Sequence, residues 1–286
     1  VRLNILKWAT LLACLFIGSA RVLADAPATQ STTVSIAAPI TPEQQAIIDA
    51  DANAPADAPE VKTEVNPKLK NGQPNPNFGK PNAGFIKMHE SFLARGKAGP
   101  IGVLFLGDSI TQGWNSRGIK VWHDRYDKYQ PANFGISGDR TQHVIWRIDN
   151  GELDGISPKV VVLMIGTNNA SHWSADEILK GDTKIVDEIH QKLPDTKLLL
   201  LAIFPRGADP SNAGVAALRA KIKQVNEGLA KLDDGNKTRY LDIGDKFLDA
   251  DGTLPKTIMP DALHPNEKGY IIWADATAPL LDEMMK

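Results

Sequence analysis

The run Val160-Val161-Val162-Leu163-Met164-Ile165 has no polar side chain at any position. A strand with one wet face alternates, so an unbroken apolar run of this length reads as a central strand near 159–165, buried on both faces. Similar short runs recur near 101–106, 131–135, 197–204 and 239–242, and amphipathic stretches near 117–128, 140–150, 174–192, 212–233 and 266–285 separate them. This alternation predicts an α/β domain in which helices cover both faces of a parallel sheet, a three-layer α/β/α sandwich with five strands. No internal repeat interrupts the pattern.

The 286 residues, 42% of them hydrophobic, suffice for one sizeable core without a second full domain. Residues 1–24 have the features of a secretory signal: Arg2 and Lys7, then a mostly apolar Trp8 to Ile17, then small-residue character at Val22-Leu23-Ala24. An uncleaved anchor is the rival reading, and Leu11-Leu12-Ala13-Cys14 faintly resembles a lipoprotein cleavage box. Cleavage near Ala24 fits better and predicts a secreted, periplasmic or cell-envelope protein with no stable membrane insertion. Cys14 is the chain's one cysteine. The processed protein would therefore have no disulfide framework, cysteine nucleophile or thiolate metal site. Arg2, Lys7 and Arg21 are balanced by no acid within residues 1–24, so residues 25–286 carry −5 against −2 for the whole chain. That charge offers nothing to nucleic acid.

Nine of the 19 prolines fall between Pro27 and Pro81, among Ala, Asp, Asn and Thr. Residues 25–84 accordingly read as a flexible linker or tether, with a short helix predicted from Thr41 over 42–51. The globular domain is expected over 85–286, opening with Ile86, His89, Phe92 and Leu93 at helical spacing.

Chemistry-bearing residues sit where such a sheet would gather them. Gly107-Asp108-Ser109 ends the first predicted strand, and Asp261-Ala262-Leu263-His264 lies far downstream. A serine hydroxyl needs an imidazole to take its proton and a carboxylate to orient that imidazole, roles that Ser109, His264 and Asp261 can fill. Asp261 and His264 are three residues apart, so one turn can bring both side chains together. Ligands of parallel sheets bind beyond the carboxyl ends of the strands. Ser109, Gly138 and Asn168 follow the first three strands, so they should meet at one rim. The backbone N–H groups of Ser109 and Gly138 and the Asn168 amide suit an oxyanion hole in kind. Each signal has a plainer reading: Asp108 as a turn former, Asn168-Asn169 as a loop, and Pro265 as the first residue of a helix.

Taken together, Gly107-Asp108-Ser109-Ile110, Gly138 within Asn133-Phe134-Gly135-Ile136-Ser137-Gly138-Asp139, Gly166-Thr167-Asn168-Asn169 and Asp261-x-x-His264 resemble the GDSL or SGNH hydrolase family. The likeness covers roughly Phe85 to the C-terminus and implies a flavodoxin-like SGNH hydrolase fold. It also implies Ser109 as nucleophile, His264 as base and acid, Asp261 as orienter, and Ser109, Gly138 and Asn168 as oxyanion donors. Asn169 stands where that family usually has Asp. Gly113-Trp114, Asp139-Arg140-Thr141-Gln142-His143, Trp146-Arg147, Asn150-Gly151-Glu152-Leu153 and Phe204-Pro205-Arg206-Gly207 are similar to the platelet-activating-factor acetylhydrolase catalytic subunits. That branch implies short acyl groups such as acetyl.

Ser137 nearly matches a nucleophile elbow but lacks the final glycine, which makes it a residue lining the site. Asp108, Trp173 and Arg206 are further candidates for the substrate pocket. His143 and His172 can approach the rim; His89, His123 and His190 fall on predicted helices with structural roles. No histidine pair has zinc-helix spacing, so neither metal nor cofactor is expected. The expected activity is a serine esterase acting on a small-molecule, glycan or lipid ester. Carbohydrate deacetylation, lysophospholipid or thioester hydrolysis and, from another class, a non-catalytic carbohydrate-binding module are the alternatives. The sequence leaves the oligomeric state open.

Overall fold

A computed structural model describes residues 40–286. The signal expected at 1–24 and the first part of the expected linker lie outside the described residues. Helix α1 (Pro42–Asn53) comes first, followed by α2 (Ala83–Lys97) and strand β1 (Val103–Gly107). Then come the single turn α3 (Ser109–Gln112), α4 (Ile119–Tyr126), β2 (Pro131–Gly135), α5 (Thr141–Asp149) and β3 (Val160–Met164). The chain closes with α6 (Ala175–Lys192), β4 (Lys197–Leu201), α7 (Ala213–Leu229), β5 (Thr238–Leu241) and α8 (Glu267–Met284). All strand pairs are parallel, in the order β2-β1-β3-β4-β5. This is the flavodoxin-like arrangement, with its topological switch between β1 and β3.

Alternate side chains of each central strand go to opposite faces, as a pleated strand requires. Leu104, Leu106, Val161, Leu163, Leu198 and Leu200 join the core under α2, α5, α6 and α7. Val103, Phe105, Val160, Val162, Leu199 and Leu201 join a second core under α4 and α8. The second core is aromatic-rich: Trp114 packs on Tyr270 with ring centroids 4.4 Å apart, and Phe105 lies 4.9 Å from Trp122. Such rings bury large areas with defined geometry and hold α8 firmly against the end of β1. Among the described residues, no helix is long and apolar enough to cross a membrane.

Residues 40–84 depart from the expected flexible linker. Thr41 caps α1 through a reciprocal capping box with Gln44. The chain beyond α1 is then tied to the domain mainly by polar contacts. The Trp173 indole N–H donates to the Ala54 carbonyl (2.9 Å), the Thr141 hydroxyl to the Ala56 carbonyl (2.7 Å), and the Glu60 N–H to the Gln142 carbonyl (3.1 Å). Arg140 bonds both the carbonyl and the carboxylate of Asp51. Residues 63–81 fold back on themselves through bridges at Thr63–Pro81 and Lys68–Pro74. Composition counts apolar burial, and here only Ala56 and Val61 join the core. The segment is held instead by hydrogen bonds between its polar groups, mostly backbone, and distant partners in the domain, which no hydropathy pattern reveals.

Candidate active site

The register aligns Gly107 at the end of β1 with Gly135 of β2 and Met164 of β3. The residues just beyond these three ends therefore share one rim. Gly107 is required by close approach: a Cβ there would collide with the Met164 carbonyl and the Thr111 side chain. The backbone turns sharply at Asp108, whose carboxylate accepts the Ile110 N–H (2.8 Å) and caps α3, leaving Ser109 as the first residue of that turn. Its N–H accordingly has no acceptor within the helix.

Tyr270 of α8 donates its hydroxyl to the Ile110 carbonyl at 2.7 Å, linking α8 to the turn that carries Ser109. The loop leading into α8 thereby brings Ser109 Oγ and His264 Nε2, 155 positions apart in sequence, to 2.8 Å. Asp261 serves both sides of its turn. One oxygen accepts the backbone N–H groups of Leu263 (3.2 Å) and His264 (2.7 Å), and the other meets His264 Nδ1 at 2.7 Å. A carboxylate facing Nδ1 places the proton there and leaves Nε2 as the acceptor for the serine hydroxyl. Desolvation pushes the Asp261 carboxyl up, but the His264 N–H, its ring and the Leu263 N–H bring it down to about 2. Between the two residues Ala262 has φ of 57°, a left-handed conformation in a non-glycine residue, and its carbonyl accepts the Gly207 N–H. Pro265 precedes rather than begins α8; Asn266 is the cap.

Gly138 has φ of 73°, the left-handed region where glycine is at ease, and no hydrogen bond within the described residues occupies its N–H. Asn168 donates to the Asp139 carbonyl at 2.8 Å and lies 3.5 Å from Asp108 Oδ2. The amide nitrogen thus has two protein acceptors, and the long contact to Asp108 Oδ2 is the weaker of them. Asn169, where the resembled family usually has Asp, uses its amide fully: Oδ1 accepts the Thr141 N–H, while Nδ2 donates to Thr141 Oγ1 and Gln142 Oε1.

Two expected pocket residues are not at an open surface. Asp108 is completely buried, because its carboxylate turns inward to cap α3; burial, reinforced by the Asp139 charge, pushes it up to about 7. Trp173 is 3% exposed, since residue 54 closes over its indole and the Arg140 guanidinium stacks 4.9 Å from its ring. Ser137 is exposed at the rim, with its N–H on Gln112 Oε1. Arg206 is half-buried and donates to the Thr167 carbonyl, just before Asn168. His143 does not reach the rim: it is buried, and its Nδ1 accepts the Arg140 N–H. Burial, with Lys62, Arg140 and Arg147 nearby, holds its pKa well below the ordinary range.

Sequence reasoning missed two supports. Arg147, fully buried, donates to Asp139, to Glu152 and to the Phe134 and Gly107 carbonyls at the ends of β2 and β1. A charged residue on the apolar face of α5, among Val144, Ile145 and Ile148, was the available signal. Lys62 reaches from the expected linker to Ser137 and Asp139, and nothing in the sequence announced it. Among the described residues, Asp51, Glu60 and His143 bring potential metal-ligating atoms within 4.8 Å of one another. The donor chemistry does not suit a cation. The Arg140 contact leaves the His143 proton on Nε2, and the Arg140 guanidinium already pairs with Asp51. A cavity of about 570 Å³ lined by Arg219, Tyr240 and Asp242 among others contains none of the serine, histidine or aspartate of this rim.

Comparison with known proteins finds relatives both in sequence and in fold. The model of the GDSL-like Lipase/Acylhydrolase family matches residues 105–272. Human platelet-activating factor acetylhydrolase IB subunit alpha1 is 36% identical over 187 residues, which span 65% of this chain and 78% of that protein. The rat alpha2 subunit shows the same identity and the same coverage. A GDSL-like lipase from Bacteroides thetaiotaomicron shares the fold, with a TM-score of 0.57 at 19% identity over 68% of this chain and 97% of that chain.

Proposed function

The chain belongs to the GDSL-like lipase/acylhydrolase family and is a carboxylic ester hydrolase; from that premise we propose that it removes short acyl groups, acetyl foremost, through an acyl-enzyme on Ser109. The hydrogen-bonded line from Asp261 through His264 to Ser109 carries this reading. Ser109 Oγ attacks the ester carbonyl carbon as its proton passes to His264 Nε2, and Asp261 stabilises the imidazolium that forms. The tetrahedral oxyanion is met by the Ser109 and Gly138 N–H groups and by the Asn168 amide, whose long 3.5 Å bond to Asp108 the oxyanion displaces. His264 then returns the proton to the leaving alcohol. Water repeats the sequence on the acyl-enzyme, releasing the carboxylic acid and restoring the serine.

Two observations support a short acyl group. Relatives at 36% identity are named acetylhydrolases. Trp173, a few residues beyond Asn168, is buried with its indole N–H on the Ala54 carbonyl and offers no open apolar surface to a long acyl chain. The test is hydrolysis of p-nitrophenyl esters from acetyl to long acyl by the full chain, beside Ser109→Ala. Activity that depends on Ser109 and falls steeply beyond acetyl is expected. A rate that rises with acyl length would transfer the assignment to lipid esters, and activity surviving in Ser109→Ala would remove the nucleophile from its role.

A further inference from the structure

We propose that Lys62 is a positioning residue for the oxyanion loop Ser137-Gly138-Asp139, delivered to the rim by the segment that crosses it. This rests on the reading above, in which the Gly138 N–H is an oxyanion donor. Lys62 Nζ lies 2.6 Å from the Ser137 carbonyl and 3.3 Å from Asp139 Oδ1, so one ammonium grips the loop on both sides of Gly138. A Cβ at Gly138 would itself meet that ammonium at 3.1 Å. Gly138 has no side chain with which to anchor its own left-handed turn, and an N–H donor serves an oxyanion only if its direction is held before the charge forms.

The grip is preorganised. On one side of Lys62 the chain is fixed to α5 through Glu60 and Ala56. On the other, the Lys62 carbonyl accepts the Asn82 N–H at 2.7 Å, and the Glu64 N–H and carbonyl pair with Lys80 and Gly79. The backbone beneath the side chain is therefore immobilised by contacts that do not involve the ammonium.

Lys62 is not needed to neutralise the buried acid. Arg147 bonds the other oxygen of Asp139 and shares its burial, whereas the Lys62 side chain stays 21% exposed. Loss of the ammonium should loosen the loop without leaving Asp139 unpaired. The consequence belongs to kcat, because a displaced oxyanion donor weakens the transition state more than the bound ester.

The full chain, Ser109→Ala, Lys62→Met and Lys62→Arg are compared on p-nitrophenyl acetate, with Tm measured for each. Lys62→Met is expected to lower kcat about tenfold with KM within about twofold, since a misaligned donor costs less than the roughly 10²- to 10³-fold of a deleted one. Lys62→Arg, which can reach both acceptors, should restore most of the rate. If Lys62→Met does not fold at the assay temperature, Lys62→Gln, whose shorter neutral side chain cannot span both acceptors, replaces it under the same criteria. Unchanged kcat, a loss confined to KM, or no recovery with arginine overturns the proposal. Wild-type activity that does not depend on Ser109 would instead overturn the functional reading beneath it.

Discussion

The two oxygens of Asp261 divide their work between the backbone N–H groups of its own turn and the His264 ring, so forming the turn also sets the tautomer. The Asn168 amide likewise serves two acceptors, the Asp139 carbonyl at 2.8 Å and, more weakly, Asp108 Oδ2 at 3.5 Å. Asn168→Ala should lower kcat by about 10² to 10³ with little change in KM, the loss typical of one oxyanion donor. Steady-state kinetics on p-nitrophenyl acetate checks this, and an unchanged kcat would remove Asn168 from the hole. Ser109, Asp261, His264, Gly138 and Asn168 were legible because each stands in a short motif at a strand end or turn. Asp108 and Trp173, candidates for the substrate pocket, are buried, and burial depends on what the fold lays over a residue. For Trp173 that cover is a carbonyl 119 positions away.

At the scale of elements, the parallel strands and the helices of the domain fall within a few residues of their sequence expectations, because continuous apolar runs and amphipathic periods are local properties. The segment after α1 does not, since its fixings are hydrogen bonds to partners distant in sequence. Helix α5 shows what an element contributes beyond its apolar face. Through Arg147 it ties together the ends of β1 and β2, the very ends that launch Ser109 and the Gly138 loop. Arg147→Met leaves Asp139 and Glu152 without their buried partner and should destabilise the fold by about 3–5 kcal/mol. Urea unfolding measures it, and a loss below about 1 kcal/mol would show that the network is dispensable. Lysine should not substitute, because a single ammonium cannot reproduce the guanidinium fork.

Across the whole molecule, the rim lies beyond the strand ends at the β1/β3 switch point, and the buried carboxylates Asp108, Asp139 and Glu152 belong to the same end of the sheet. Burial raises Asp108 to about 7 and Asp139 to about 6, the latter opposed by Arg147 and Lys62. An unfolded aspartate releases its proton near pH 4, so between about pH 4 and pH 7 the folded chain retains a proton on Asp108 that the unfolded chain has lost. Stability from this group is complete below that window and falls as pH rises through it. Asp108→Asn cannot ionise and can still accept the Ile110 N–H. Its Tm relative to wild type should climb between pH 4 and pH 8, and a constant offset would refute the linkage. The apolar runs, the helical periods and the one-turn Asp261–His264 pairing follow from neighbours a few residues apart, and physical patterning settles them without knowledge of the rest of the chain. The 2.8 Å approach of Ser109 to His264, the sealing of Trp173 and the reach of Lys62 to the Ser137-Gly138-Asp139 loop are different. They arise where segments remote in sequence come to share one volume, and only packing around the sheet determines which segments those are.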